Sequence, residues 1–196
     1  MSINLKKGEK ISLGLSKIKI GLGWDPNDSS GSDFDLDASC YMLDESNKCP
    51  NDEWFVFYGT VREKDGYKYS PDYAVKGAKD DQTGGSSDGD DDEEIEVDLN
   101  KVDSKIQSLV FTATIFEFEE RKQNFGQVSN SYIRLVDMVT NEEIAKYDLN
   151  EDFSSESAIE FGRIYKKDNA WKFEAIGKGY KGGLEFLCKK YGIQVA

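Results

Sequence analysis

The sequence contains no histidine. That single absence excludes Ser-His-Asp and Cys-His catalysis, the zincin helix and most catalytic zinc sites. Cysteine is scarce: Cys40, Cys49 and Cys188 are odd in number and show no C-x-x-C spacing. They fit structural thiols in a reducing compartment better than a disulfide framework or a zinc ribbon. No segment approaches the roughly 20 apolar residues of a membrane span. The N-terminal stretch MSINLKKGEKISLGL lacks the apolar core of a signal peptide. These absences point to the cytosol.

Positive charge is missing from two windows. Asp25 to Asp37 holds five acids, Asp25, Asp28, Asp33, Asp35 and Asp37, with no Lys or Arg. Asp80 to Glu94 holds eight, again with no base. Their 13 charges equal the whole net charge of −13, because the other 25 acids match the 25 bases. An acidic excess concentrated in two places argues for a site, and it argues against nucleic acid, which requires a basic footprint.

The 196 residues suffice for one sizeable domain, expected over 1–196. Aromatic residues run through most of the chain, as a packed core requires. Alternation dominates. Ile18, Ile20, Leu22 and Trp24 share a face, and so do Phe34, Leu36, Ala38, Cys40 and Met42. Ile95, Val97 and Leu99 repeat the pattern, as do Leu109, Phe111, Ala113 and Ile115. WFVFY at 54–58 reads as a short strand buried on both faces. SYIRLV and EEIAKYDL flank a turn at Thr140-Asn141, and AIEFGRIYK and AWKFEAI flank one at Lys167-Asp168-Asn169. About nine strands at this spacing predict a mainly β protein, a two-sheet β-sandwich. Leu184, Leu187, Cys188 and Tyr191 fall at i, i+3, i+4 and i+7, predicting a short C-terminal helix that closes at Gly192. Elsewhere in the last quarter, only Ser154 to Ser157 suggests a short turn.

In an extended chain Asp33, Asp35 and Asp37 lie on one side and Phe34, Leu36 and Ala38 on the other. Three carboxylates so close repel one another, and a hard cation removes that penalty. Calcium takes six to eight oxygens, whereas magnesium demands a stricter octahedron and keeps its waters. With no imidazole or thiolate in either window, zinc, copper and iron are disfavoured. The donors suffice for two or three calcium ions. An acidic run alone is usually a solvated loop, and Asp91-Asp92-Glu93-Glu94 taken by itself reads that way. The interleaving of acids with apolar residues at 33–38 favours a site. It is not an EF-hand, because Ala38 stands where that loop requires Gly.

The motifs GLGWD at 21–25, DFDLDAS at 33–39, DDQTG at 80–84, GDDDE at 89–93, RKQNFGQVSNSYIRLV at 121–136, AKYDL at 145–149 and GKGYKGGL at 177–184 resemble the TerD family of bacterial tellurite-resistance and stress-response proteins. The resemblance runs from near the N-terminus to the end. It implies a calcium-binding β-sandwich with ions held in acidic loops. By motif position it implies ligands at Asp25, Asp33, Asp35 and Asp37, and at Asp81, Asp90, Asp91, Asp92 and Glu93. The chain departs from the family's second loop: Asp81 stands where Asn is usual, and Gly85-Ser86-Ser87 lengthens the loop, so Asp88 enters as a further candidate. Glu117 falls at another acidic family position and could complete a site.

The reading is a non-enzymatic calcium-binding module of a stress response with protein partners. Two alternatives remain open. One is a metal-dependent phosphoesterase, which the lack of bases in the acidic windows disfavours. The other is C2-like peripheral docking on membranes through calcium. Three further signals carry less. Gly177-x-Gly179-x-x-Gly182 spells a dinucleotide fingerprint, but too little chain follows for a second strand. Trp24, Trp54 and Trp171 sit in strand patterns, where core packing is the default. Arg121-Lys122 beside Phe125 reads as a surface basic pair.

Overall fold

The computed structural model describes residues 7–27, 31–77, 82 and 91–194. Among these, strands form wherever the two-residue alternation runs. In chain order they are β1 (Lys10–Leu13), β2 (Lys17–Gly23), β3 (Leu36–Leu43), β4 (Phe55–Val56), β5 (Glu63–Lys64), β6 (Tyr67–Lys68) and β7 (Val75–Lys76). They continue as β8 (Glu93–Asp98), β9 (Ser108–Ile115), β10 (Tyr132–Asp137), β11 (Glu143–Asp148), β12 (Ala158–Lys167) and β13 (Ala170–Tyr180). Three helices join them: α1 (Phe118–Arg121), α2 (Leu149–Asp152) and α3 (Gly183–Tyr191).

Two antiparallel sheets carry the fold. A six-stranded sheet runs β1-β13-β12-β9-β3-β4, and a five-stranded sheet runs β11-β10-β2-β8-β7. β5 and β6 form a small separate ribbon. Each sheet turns its apolar alternation inward. Leu36, Ala38, Cys40 and Met42 of β3 pair in register with Ile115, Ala113, Phe111 and Leu109 of β9. Facing them are Ile18, Ile20 and Leu22 of β2, Ile95 and Val97 of β8, and Ile133 and Leu135 of β10, all buried. The mainly β two-sheet architecture with a short C-terminal helix is the one the alternation predicts.

Local chemistry sets the connections. β12 and β13 meet through the two residues Asp168 and Asn169, both with positive φ (53° and 57°), between the paired Lys167 and Ala170. This mirror-image turn matches the strands' twist, and Asn and Asp tolerate it. α3 stops where Gly192 takes φ 82° and the Ile193 amide returns to the Cys188 carbonyl at 2.9 Å, a glycine-terminated helix end. A bulge at Phe161 shifts β12 by one residue against β9. It lets Glu160 share a face with Thr112, while Gly162 opposes Phe111.

Several local readings need correction. WFVFY is not a strand buried on both faces. Trp54 ends a 3-10 turn that Asn51 caps, and only Phe55–Val56 joins the edge of the larger sheet. Asn51 competes for its own backbone, accepting the Glu53 amide at 3.0 Å, and this shortens the strand. A one-turn helix at Leu149–Asp152 precedes the turn expected from Ser154. Gly177 and Gly179 lie inside β13, so no phosphate-cradling turn starts there. Trp24 and Trp54 are buried as expected, but Trp171 is half-buried beneath the Lys166 ammonium, 5.0 Å from its ring centre. Among the described residues no helix is long and apolar enough to cross a membrane.

Candidate metal centre

The described parts of the two acidic windows meet at one end of the sandwich. Glu93 opens β8 on its inward face, and its Oε2 accepts the Ala38 amide of β3 at 2.7 Å, so a side chain of one sheet ties down a strand of the other. Asp92 accepts the Trp24 amide on Oδ2 at 2.8 Å and donates its own amide to the Leu22 carbonyl at 2.9 Å. Trp24 Nε1 donates to the Phe34 carbonyl at 3.0 Å, closing the first loop over the core.

The end of β9 joins them. Asp35 accepts the Phe116 amide on its carbonyl at 2.9 Å, extending the β3–β9 ladder past Leu36 and Ile115. The chain then turns sharply at Glu117, whose φ of 48° is unusual for a residue with a side chain. The turn brings Glu117 and Glu120 to a 540 Å³ cavity that Asp33, Asp35 and Arg121 also line. Arg121 pairs with Glu117 at 3.1 Å, stands 4.0 Å from Asp35 and donates to the Asp33 carbonyl at 3.3 Å. Gln123 donates to the Ser32 and Asp33 carbonyls at 3.0 and 3.2 Å. Asp35 and Asp37 are buried, while Asp33 and Glu117 are exposed.

Other candidates are placed differently. Asp25 accepts Asn130 Nδ2 at 2.6 Å and lines an adjoining 430 Å³ cavity that shares Ser32 and Arg121 with the first. Asp37 follows Leu36 in β3, opposite Thr114 of β9. Asp91 lies on the outer face of the smaller sheet over Gly21, where a Cβ would come within 2.2 Å of its carboxylate. Both its oxygens bind Arg134, at 2.7 and 3.0 Å, and Tyr132 and Lys19 stand at 3.1 and 3.3 Å. The Asp91 and Glu94 carboxylates hold the Lys19 ammonium above its ordinary pKa, although burial opposes them. Burial first, and then the Asp91 charge, push the Tyr132 phenol upward. Asp81, Asp88 and Asp90 lie outside the described residues.

Of the sequence-predicted ligands, then, Asp33, Asp35 and Glu117 share one cavity, Asp25 lines its neighbour, and Asp92 and Glu93 hold backbone amides between the windows. Among the described residues no three acidic or cysteine side chains converge closely enough to hold an ion on their own. The donor chemistry of the cavity is nevertheless that of a hard cation: carboxylate and carbonyl oxygen, with no imidazole, and with Cys40, Cys49 and Cys188 buried. Sequence reasoning set Arg121 aside as part of a surface basic pair and missed Gln123. No local pattern marks them, because their contacts reach back about 90 residues.

A family model described as the TerD domain matches residues 1–191. General stress protein 16U of Bacillus subtilis (strain 168) is 45% identical, and tellurium resistance protein TerD of Serratia marcescens is 40% identical, each over the full length of both chains. A crystal structure of a homologue of telluride resistance protein (TerD) from Streptomyces coelicolor A3(2) superposes with a TM-score of 0.72 at 17% identity, covering 89% of this chain and 95% of that one. At that identity the likeness speaks for the fold alone.

Proposed function

The chain belongs to the TerD family, and from that premise we propose that it is a calcium-binding, non-enzymatic module of a bacterial stress response. The family's relatives carry tellurium-resistance and general-stress names. The observation that carries the calcium reading is the shared cavity of Asp33, Asp35, Glu117 and Glu120, beside which Glu93 anchors the second acidic window. Calcium would draw on these carboxylates together with Asp81, Asp88 and Asp90. Asp25, Asp37 and Asp92 supply further oxygen at the margins. Asp91 is the weakest ligand of the set, since Arg134 engages both of its oxygens.

When bound, calcium supplies charge neutralisation and a rigid junction between the windows. The chain's own residues do the rest. Glu93 fixes the distance between the sheets, Gln123 and Arg121 hold the Ser32–Asp33 carbonyls, and the turn at Glu117 delivers its carboxylate to the rim. The ordered end of the sandwich then offers a charged surface to a protein partner in the cytosol. Equilibrium dialysis tests the reading. The wild type should retain two or three calcium ions per chain and Asp33→Asn/Asp35→Asn should lose at least one; equal retention by both would remove these residues from the site.

A further inference from the structure

A second cavity, of 320 Å³, lies between the β9–α1 turn and the start of α3. Thr114 forms part of its floor. That residue is 1% exposed, and its hydroxyl has no hydrogen-bond partner among the described residues. A buried hydroxyl left unsatisfied is costly and calls for an explanation. The walls around it are of two kinds. Tyr58 and Phe116 meet edge to face with ring centres 5.8 Å apart, and Phe118 lies against the start of α3. There Gly183 has φ 56°, and a Cβ would come within 2.5 Å of the Phe118 ring. The rim carries Glu119, Glu120 and Glu185. Glu185 pairs with Lys189, but the Glu119 and Glu120 side chains make no hydrogen bond or ion pair among the described residues.

We propose that this cavity binds a primary alkylammonium group. The aromatic rings and Leu184 match a methylene chain, the rim carboxylates match its positive end, and Thr114 supplies an acceptor for one ammonium hydrogen. Phe116 already holds a cation near its ring, where the Arg121 guanidinium stands 5.2 Å from the ring centre. A metal ion fits poorly, because the walls are aromatic and aliphatic and leave it only the rim carboxylates and one hydroxyl. The same chemistry comes from two sources, a free aliphatic diamine or a lysine side chain of another protein.

Amide chemical-shift titration of the full chain, in calcium-containing buffer, tests the proposal with 1,5-diaminopentane as the free cation and Nα-acetyl-lysine amide as the protein side chain. Saturable shifts should centre on Thr114, Phe116 and Leu184 with at least one probe, and the tighter probe identifies the source. Thr114→Val and Glu119→Gln should each weaken binding about tenfold. Exposed Glu185→Gln should weaken it less, which keeps the test available if Thr114→Val fails to fold. The proposal is overturned if neither probe saturates, if 1-pentanol or matched sodium chloride produces the same shifts, or if the folded variants bind as the wild type does.

Discussion

Glu93 Oε2 and the Ala38 amide, 2.7 Å apart and 55 residues distant in sequence, form the stitch that holds the two acidic windows together. Both groups are buried, so neither can turn to water when the other is lost. Glu93→Ala leaves an amide unsatisfied and should destabilise the protein by about 1–3 kcal/mol. Glu93→Gln keeps an acceptor and should cost less. Urea unfolding measures both, and equal losses in the two variants would mean that side-chain volume, not the hydrogen bond, matters here.

Asp91 and Arg134 make the other strong polar link, across β10 and the start of β8. The Asp91 side chain is fully buried and the Arg134 side chain is 25% exposed. Losing one partner of a fully buried pair costs about 3–5 kcal/mol, so Arg134→Ala should cost somewhat less than that. Asp91→Asn/Arg134→Met, which leaves no buried charge, should recover part of the loss in a double-mutant cycle. Additive single losses would show that the pair is not coupled.

The fold was legible because its core strands obey the two-residue period: β2, β3, β8 and β9 bury the residues that alternation selects. The hairpin at Asp168-Asn169 and the glycine stop at Gly192 were legible for the same kind of local reason. WFVFY misled because an asparagine cap, not hydrophobicity, decides where that strand begins. At the site, the alternation at 33–37 and the family resemblance, which alone singled out Glu117, named three residues that line one cavity, Asp33, Asp35 and Glu117, all at or beyond the ends of paired strands. Neither could separate Asp91 from its neighbours. Asp91 lies just before β8, and only the neighbouring strands β2 and β10 reveal that its side chain meets Lys19 and Arg134. Arg121 was set aside as half of a surface basic pair, because nothing local shows that its side chain reaches Asp35 and the Asp33 carbonyl.

Arg121 should oppose calcium. Its guanidinium stands 4.0 Å from Asp35 and pairs with Glu117, so an ion must share those carboxylates with a fixed positive charge. At a solvent-facing rim such a repulsion is worth about 1 kcal/mol. The opposing effect, loss of its long bond to the Asp33 carbonyl, is small because Gln123 holds the same oxygen. Arg121→Gln should therefore tighten calcium binding about fivefold by calorimetry. Weaker binding would show that the brace outweighs the charge.

Alkali should loosen α3. Tyr180 and Tyr191 donate to the buried Glu160 carboxylate, at 2.9 and 2.5 Å, and Lys190 joins them from the helix. Burial, with the Glu160 interaction next, pushes the Tyr180 phenol from 10.0 up to about 12, and Tyr191 also moves upward. A folded pKa above the unfolded one means that the unfolded chain gives up its proton first. The contribution is complete below pH 10 and disappears as pH rises toward 12. Stability in Tyr180→Phe should fall less steeply over that window. Identical slopes would detach the phenol from the alkaline transition.

The thiols should be silent in the native state. Burial raises Cys40 and Cys188 and pushes Cys49 up to about 12, and a thiol that keeps its proton is a poor nucleophile. A disulfide reagent at pH 8 should label all three at the rate of unfolding. Any thiol that reacts within seconds without denaturant would contradict its burial.

Calcium should stabilise the fold where salt does not. Asp33, Asp35, Glu117 and Glu120 stand around one cavity with a single guanidinium among them, so the ion-free site carries excess negative charge. A ligand that binds only the folded state adds about 2.7 kcal/mol at a hundredfold excess over its dissociation constant. For a domain of this size about 1 kcal/mol moves the melting temperature by about 2–4 °C. Saturating calcium should thus raise it by about 5–10 °C. Sodium chloride at matched ionic strength softens repulsion but coordinates nothing, and magnesium parts with its waters reluctantly, so both should do less. The rise should shrink in Asp33→Asn/Asp35→Asn, even though that variant relieves repulsion in the ion-free state. Equal shifts with calcium, magnesium and sodium chloride would mean that the windows are merely acidic.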